Sequence, residues 1–445
     1  MLLNVYKAVL RLLKPKAAGK ERKMQMNRPE ILAPAGNFEK MRAAIAFGAD
    51  AVYLAGNTFG MRSAAGNFTD EEIAEAVKYA HDRGVKVYIT VNTMPRTSEY
   101  KRLRTYLQFL GGTGADALII SDLGVFMLAK ETVPHMTLHV STQASVVSAA
   151  TCNEWYKLGA ARVILARELS LEEIKEIREN TPRGLEIEAF VHGSMCVAYS
   201  GRCLLSNYLT GRDANRGACA QPCRWEYKLY GNSCLIGEIE EVKRQGERFT
   251  VIEDAGESYT YSSRDLCMIE HIPELMQSGL SCLKIEGRMK SACYVATVTN
   301  AYRMAVDEYF KSPESYTFNP AWADELESVC HRQYCTGFFF ENGIDNSNIC
   351  TEPGYIKEQT ALATAVSYDK ETGRALFMQK NKFSAGETVE LLVPGKIGYK
   401  LNVPVIYGEN GEEIPSVPHP QMKFLIDVPF PVPEHSVLRY ARESE

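Results

Sequence analysis

Short apolar runs alternate with amphipathic stretches along the chain from about residue 29 onward. Three of the runs share one device: GADAVYLAG at 48–56, GADALIISD at 114–122 and GAARVILARE at 159–168. In each, a helical pattern ends on glycine, a short Ala-rich turn follows, and a continuous β-branched run begins, as a strand covered on both faces requires. SGLSCLKIEG at 278–287 is a looser fourth copy. Helical patterns with acidic starts lie between them, at 69–84, 98–111 and 170–180. Thr69 with Glu72, and Ser170 with Glu173, have the spacing of capping boxes. Adding EILAPAG, KVYITVN, LHVSTQAS and LEIEAFV gives eight predicted strands, near 30–35, 51–55, 86–91, 117–121, 138–144, 162–167, 185–191 and 282–286. Each is followed by a helix except the seventh, which runs into a cysteine-rich loop. Eight such alternations predict an α/β fold, a (β/α)8 TIM-like barrel. An open doubly wound sheet is the alternative, but no GxGxxG fingerprint opens the first unit.

Beyond the barrel pattern the chain changes character. Residues 226–265 alternate polar and apolar with Gly-containing turns and read as a β insertion. SACYVATVTNAYRMAVDEYF supplies the eighth helix, closing a barrel over 29–319 that carries the cysteine loop at 192–225. Residues 320–359 read as a linker. Residues 360–445, rich in Val, Gly, Pro and short alternating strands, read as a small all-β domain, a barrel. Residues 1–28 form a basic leader, whose first 26 positions hold seven Lys or Arg against one Glu. It reads as a disordered tail, or as a short amphipathic helix over 2–13 lying on a membrane surface or a partner.

With 45% hydrophobic and 24% charged residues, the composition is that of an ordinary globular protein. No apolar run reaches the roughly 18–20 residues that span a bilayer, so no transmembrane segment is expected. No secretory signal with a cleavage site precedes the barrel pattern, and a cytoplasmic protein is expected. The net charge of −5 argues against coating nucleic acid non-specifically. A local basic surface for a folded RNA remains compatible with it.

The densest chemistry is in HGSMCVAYSGRCLLSNYLTGRDANRGACAQPCRW. Cys196, Cys203, Cys219 and Cys223 follow C-x6-C-x15-C-x3-C spacing. Thiolates are soft ligands, suited to zinc or an iron–sulfur cluster. Structural zinc usually pairs cysteines two to four residues apart, and only the last pair comes near that. The wider gaps fit thiols gathered from several turns around a larger object. The remaining eight cysteines (152, 234, 267, 282, 293, 330, 335 and 350) are scattered in apolar contexts and read as packing residues.

Barrel sites lie at the C-terminal strand ends. Polar residues there are Asn92, Ser121, Asp122, Ser141, Gln143, Ser145, Arg167, Glu168, His192, Glu286 and Arg288. His192, Arg167, Glu286 and Arg288 are the candidate catalytic residues. Glu286 and Arg288 would otherwise form a plain ion pair, and His192 a structural hydrogen bond. Arg167 and Arg288 stand at the ends of strands six and eight and Arg202 lies inside the cysteine loop, and a guanidinium meets carboxylates with a planar fork. Candidate RNA contacts are Arg212, Arg216 and Arg224 around the loop, with Lys380 and Lys382 in the β domain. Neither HExxH nor GxSxG occurs. Ser194 and Ser206 could be combined with His192 for hydrolysis, but no motif fixes such an arrangement.

ILAPAGNFEKMRAAIAFGADAVYLAG, the four-cysteine run and SSRDLCMIEHIPELMQSGLSCLKIEGRMKSACYVATVTNAYR together resemble the collagenase-like peptidase family of unassigned catalytic type. The resemblance runs from residue 29 to the end and is strongest to the tRNA hydroxylation protein P branch of that family. It implies the barrel and the small β domain. It also implies that Cys196, Cys203, Cys219 and Cys223 bind a 4Fe-4S cluster. The activity it implies is prephenate-dependent, oxygen-independent hydroxylation of the tRNA wobble uridine to 5-hydroxyuridine. The partners would be tRNA, the small dicarboxylate and an electron-transfer protein. Alternatives are a collagenase-like peptidase and a non-enzymatic RNA-binding protein with a structural cluster.

Overall fold

A computed structural model describes residues 28–62, 66–225, 263–340, 356 and 359–441, together with the backbone of three strands between 227 and 252. The leader at 1–27 lies outside the described residues. Seven parallel strands follow in order: β1 (Glu30–Pro34), β2 (Ala51–Leu54), β3 (Lys86–Val91), β4 (Ala117–Ile120), β5 (Thr137–Val140), β6 (Arg162–Ile164) and β7 (Glu186–Ser194). After β8 (Tyr227–Tyr230), β9 (Ile236–Glu241), β10 (Arg248–Ile252) and β11 (Asp265–Cys267), β12 (Cys282–Ile285) is the eighth barrel strand. It pairs in parallel with both β1 and β7, so the sheet closes.

The local rules read from the sequence act as expected. Thr69 and Ser170 both form reciprocal capping boxes, starting helices Asp70–His81 and Leu171–Glu179. Strand β4 is buried throughout and β2 likewise, matching their uninterrupted apolar runs.

Between β7 and β12 the chain carries the expected β insertion and more. β8, β9 and β10 form a three-stranded antiparallel sheet. β11 then returns antiparallel along the end of β7, and the short helix Ile272–Gln277 leads into β12. The seventh strand therefore has its helix, displaced past the insertion. The stretch expected as a linker carries helix Pro320–Glu327 and a short strand, Tyr334–Cys335, parallel to β11. Trp322, Leu326 and Phe339 join the barrel core cluster, so residues 320–340 pack as part of the barrel body.

The C-terminal module is an eight-stranded antiparallel sheet with a separate two-stranded patch. The strand order runs from Tyr399–Asn402 to Glu413–Ile414, and no pairing joins these two ends among the described residues. Its own core includes Phe377, Phe383 and Phe424. Fully buried Arg439 bolts it to the barrel body, reaching Glu325 at 2.8 Å and Glu390 at 2.9 Å. Among the described residues, no helix is long and apolar enough to cross a membrane.

Candidate active site

Two charged layers lie along the barrel, the lower one centred on buried Arg162, Glu188 and Lys284 with Lys86 and Glu186 at its exposed rim. The lower one lies near the N-terminal strand ends. Arg162, at the start of β6, reaches Glu30, Glu186 at 2.6 Å and Glu188 at 3.1 Å. Lys284 meets Glu188 at 2.7 Å and Lys86 meets Glu30 at 2.6 Å. Three cations thus face three carboxylates. Buried His139 sits against the Tyr88 ring and is held neutral, first by desolvation and then by the cations around it.

The upper layer, at the C-terminal strand ends, is not balanced. A cavity of about 50 Å³ is lined there by Tyr53, Arg62, Asn92, Arg167, Glu286 and Arg288, among others, with Lys284 and Phe190 beneath. Among the described residues, Glu286 is the sole carboxylate in the lining, against three guanidiniums. Burial pushes its carboxyl up, but Arg62, Arg167 and Arg288 outweigh that and hold it below the ordinary range. Arg62 approaches it at 3.8 Å, and the Tyr53 hydroxyl donates to it at 3.1 Å. Tyr53 stays protonated, because burial and then the Glu286 charge raise its pKa far above the usual value. Arg288 is 3% exposed. It donates to Asn67, its Nε meets no acceptor among the described residues, and desolvation pulls its pKa down to about 10.

Arg167 links this layer to the cysteine loop. Its Nη1 donates to the Ser194 carbonyl at 2.8 Å, and its Nη2 lies 3.9 Å from Cys196 Sγ. The loop is laid across the mouth by close backbone approaches. Gly201 and Gly217 have φ of +75° and +86°, and a Cβ on either would strike the Gln143 or Gly60 carbonyl, at 2.2 and 2.7 Å. Ser145 Oγ donates to the Ser200 carbonyl at 2.5 Å, and Glu168 accepts from Ser200 N at 2.7 Å. Arg216 donates to the Met94 carbonyl and pairs with Glu99 at 2.9 Å. Ser145, Glu168 and Arg216 therefore hold the loop down. Asn92, Ser121 and Ser141 brace one another at the rim, while Asp122 caps helix Leu123–Thr132.

Cys196 is exposed, and Cys203, Cys219 and Cys223 are half-buried. Burial raises the Cys203 and Cys223 thiols, the latter to about 11. Cys196 and Cys219 push both further up, so these sulfurs sense one another's charge. The Gln221 N–H donates to Cys219 Sγ at 3.4 Å. Among the described residues, no three His, Cys, Asp or Glu side chains converge closely enough to hold one metal ion. Four soft donors on one loop suit a thiolate-held metal group, zinc or an iron–sulfur cluster.

Three of the four candidate catalytic residues, Arg167, Glu286 and Arg288, line one cavity, and His192 lies elsewhere. Strand alternation aims His192 inward with Glu188 and Phe190. The β7–β12 register instead steps from Phe190 opposite Lys284 to His192 opposite Ile285, so β7 carries one extra residue. That bulge turns the ring out of the barrel. It lies among Tyr294, Tyr302 and Tyr334, at centroid distances of 5.9, 5.6 and 5.3 Å. It is 1% exposed, and desolvation drops its pKa to about 3. Ser206, fully buried, donates to the Arg212 carbonyl at 2.7 Å and stitches the loop. Arg62 is a charged cavity residue the sequence did not single out. It follows β2 in a stretch without periodicity, and only the closed barrel brings it to Glu286.

The candidate RNA contacts divide likewise. Lys380 pairs with Glu39 of the barrel at 2.8 Å, joining module to barrel, and Lys382 is exposed. Arg212 is exposed on the loop, and half-buried Arg224 lies beside Cys223.

The family model "Peptidase family U32" matches residues 36–348, and "Peptidase family U32 C-terminal domain" matches residues 357–439. The chain is 38% identical over 402 residues to tRNA hydroxylation protein P1 of Bacillus subtilis, covering 90% of this chain and 92% of that protein. It is 37% identical over 449 residues to tRNA hydroxylation protein P of Escherichia coli, covering 94% and 96%. A protein named Collagenase from Porphyromonas gingivalis is 30% identical over 383 residues, covering 83% and 88%.

Proposed function

The chain belongs to the peptidase family U32, and from that premise we propose that it is an enzyme that hydroxylates the wobble uridine of tRNA to 5-hydroxyuridine in the cytoplasm. Full-length relatives named for tRNA hydroxylation support the reaction class. The observation that carries the reading at the site is the excess of guanidinium over carboxylate at the barrel mouth, directly beneath the cysteine loop. Such a site takes a small polyanion, and a dicarboxylate such as prephenate, as oxygen donor, fits its charge.

In this reading Arg62, Arg167 and Arg288 bind the carboxylates and orient the donor. The buried Nε of Arg288 is a donor awaiting an acceptor. Glu286 stays ionised and fixes Arg62, while Tyr53 keeps its proton and presents a neutral hydroxyl. Cys196, Cys203, Cys219 and Cys223 would hold a 4Fe-4S cluster, which supplies one-electron chemistry when bound. An external electron-transfer partner would then be required. The loop is tied down across the mouth, and water displaced there on substrate binding would strengthen the fields inside it.

Peptidase chemistry fits the mouth less well. Hydrolysis asks for a nucleophile with an adjacent base. His192 is turned away into an aromatic pocket and Ser206 is committed to the Arg212 carbonyl. The test pairs two measurements. Anaerobically purified protein should contain iron and acid-labile sulfide in near-equal amounts. In a strain lacking the gene, tRNA should lose 5-hydroxyuridine, and Cys203→Ala should fail to restore it. A colourless zinc protein that restores the nucleoside would refute the cluster, and unaltered nucleosides in the deletion strain would refute the function.

A further inference from the structure

The outer face of the cysteine loop carries side chains that neither the fold nor the mouth uses. Tyr208 is 81% exposed, and Leu204, on the same face one turn earlier, is 50% exposed. Tyr208 N donates to the Leu204 carbonyl at 3.0 Å, so the pair is presented by a formed turn of helix. Tyr199 is 48% exposed and walls a second cavity of about 300 Å³ that opens beside Cys196. An isolated exposed tyrosine needs no explanation, but the loop over the mouth presents two, Tyr208 from its helical turn and Tyr199 from the wall it shares with Glu168 and Glu173.

Arginines accompany them. Arg202 and Arg212 are both exposed. Each is pinned through one nitrogen: Arg202 Nε donates to Ser145 Oγ at 3.2 Å, and Arg212 Nε donates to the Ala218 carbonyl at 3.0 Å. Neither forms an ion pair with a carboxylate among the described residues. A guanidinium held at Nε keeps its outer N–H groups free in a fixed orientation, the arrangement that meets a phosphate. Stacking faces interleaved with fixed cations match unpaired RNA, whose splayed bases stack on aromatics while its backbone seeks arginine. By contrast Lys380 of the β module is already paired with Glu39.

We propose that this outer face grips the unpaired loop of the substrate RNA, with Tyr208 and Tyr199 stacking on bases and Arg202 and Arg212 meeting phosphates. The proposal rests on the reading that tRNA is the substrate. It adds that the loop which covers the mouth is also the surface that delivers the base to it.

The test measures binding of the full-length protein to an anticodon stem–loop RNA and to a fully paired two-strand RNA duplex, across a salt series. Tyr208→Ala should weaken the stem–loop on the order of tenfold, leave its salt slope unchanged and spare the duplex. Arg202→Gln should weaken both RNAs and lower the salt slope by about 0.7. Tyr208 is exposed, so its truncation leaves the fold intact, which thermal melting of the variant verifies. Parent-like stem–loop affinity in Tyr208→Ala, Tyr199→Ala and Arg202→Gln would overturn the proposal, while tRNA hydroxylation persisting in those variants would leave the function standing. Parent-like RNA affinity with lost hydroxylation in cells would assign the face to a protein partner instead. Absence of RNA binding by the parent would refute both readings.

Discussion

The two charged layers of the barrel use the same residue types toward opposite ends. In the lower layer Arg162, Lys284 and Lys86 are matched by Glu30, Glu186 and Glu188 at 3.1 Å or less. In the upper layer Arg62, Arg167 and Arg288 share Glu286, and the one ion pair formed there is 3.8 Å long. A balanced network, here buried at Arg162, Glu188 and Lys284, satisfies itself and has nothing left to bind. An unbalanced one stores repulsion that an incoming anion relieves. Net imbalance, more than burial or charge alone, separates the layer that holds the barrel from the layer proposed to act.

The largest effect should come from breaking the balanced layer. Glu188 is fully buried between Arg162 and Lys284. Glu188→Ala leaves both cations without it and should destabilise the protein by about 3–5 kcal/mol, read from urea unfolding. The matching change in the upper layer should act on function. Arg288→Lys keeps a charge but loses the planar fork. It should remove about 1.5–3 kcal/mol of co-substrate binding, roughly ten- to hundredfold in the amount of donor required, with the unfolding midpoint nearly unmoved. Equal destabilisation by the two substitutions would erase the distinction between the layers.

A smaller effect concerns His192. Its folded pKa is about 3, lowered by desolvation, which Asp265 partly opposes and His331 and Lys290 reinforce. The unfolded chain therefore binds a proton that the folded one refuses between about pH 6.5 and 3. Stability from this group is complete above pH 6.5 and falls on acidification, by up to about 1.4 kcal/mol per pH unit. His331, whose hydrogen bonds raise its pKa against desolvation, contributes with the opposite sign. Its stabilisation is present below pH 6.5 and lost as pH rises through its folded value. His192→Leu should flatten the acid limb of stability against pH while leaving tRNA hydroxylation in place. Loss of hydroxylation by a folded His192→Leu protein would return the histidine to the chemistry.

The smallest effect belongs to the module joint. Lys380→Ala removes a half-exposed pair with Glu39 and should cost no more than about 1 kcal/mol. RNA affinity should not change. A clear loss of RNA affinity would place the β module in the interface.

What the sequence revealed follows from how local each signal is. The Gly-Ala turns and capping boxes are decided within a few residues, and they located the barrel strands and the helices Asp70–His81 and Leu171–Glu179. Glu286 and Arg288 were legible because a strand end in a barrel has only one destination. The orientation of His192 depends on one extra residue relative to β12, which alternation within β7 cannot reveal. Arg62 acquires meaning only beside Glu286, more than two hundred positions away in the chain. Helix Pro320–Glu327 looked like a connection because its apolar face is short, yet Trp322 and Leu326 complete the barrel core.

The central claim is that the unbalanced mouth beneath the cysteine loop is where tRNA is hydroxylated. Its most direct test is the 5-hydroxyuridine content of tRNA from a deletion strain carrying the parent gene, Arg288→Lys or Lys380→Ala, each checked for equal soluble protein. The account expects full restoration by the parent and by Lys380→Ala, and a residue near background for Arg288→Lys. Full restoration by Arg288→Lys would contradict it.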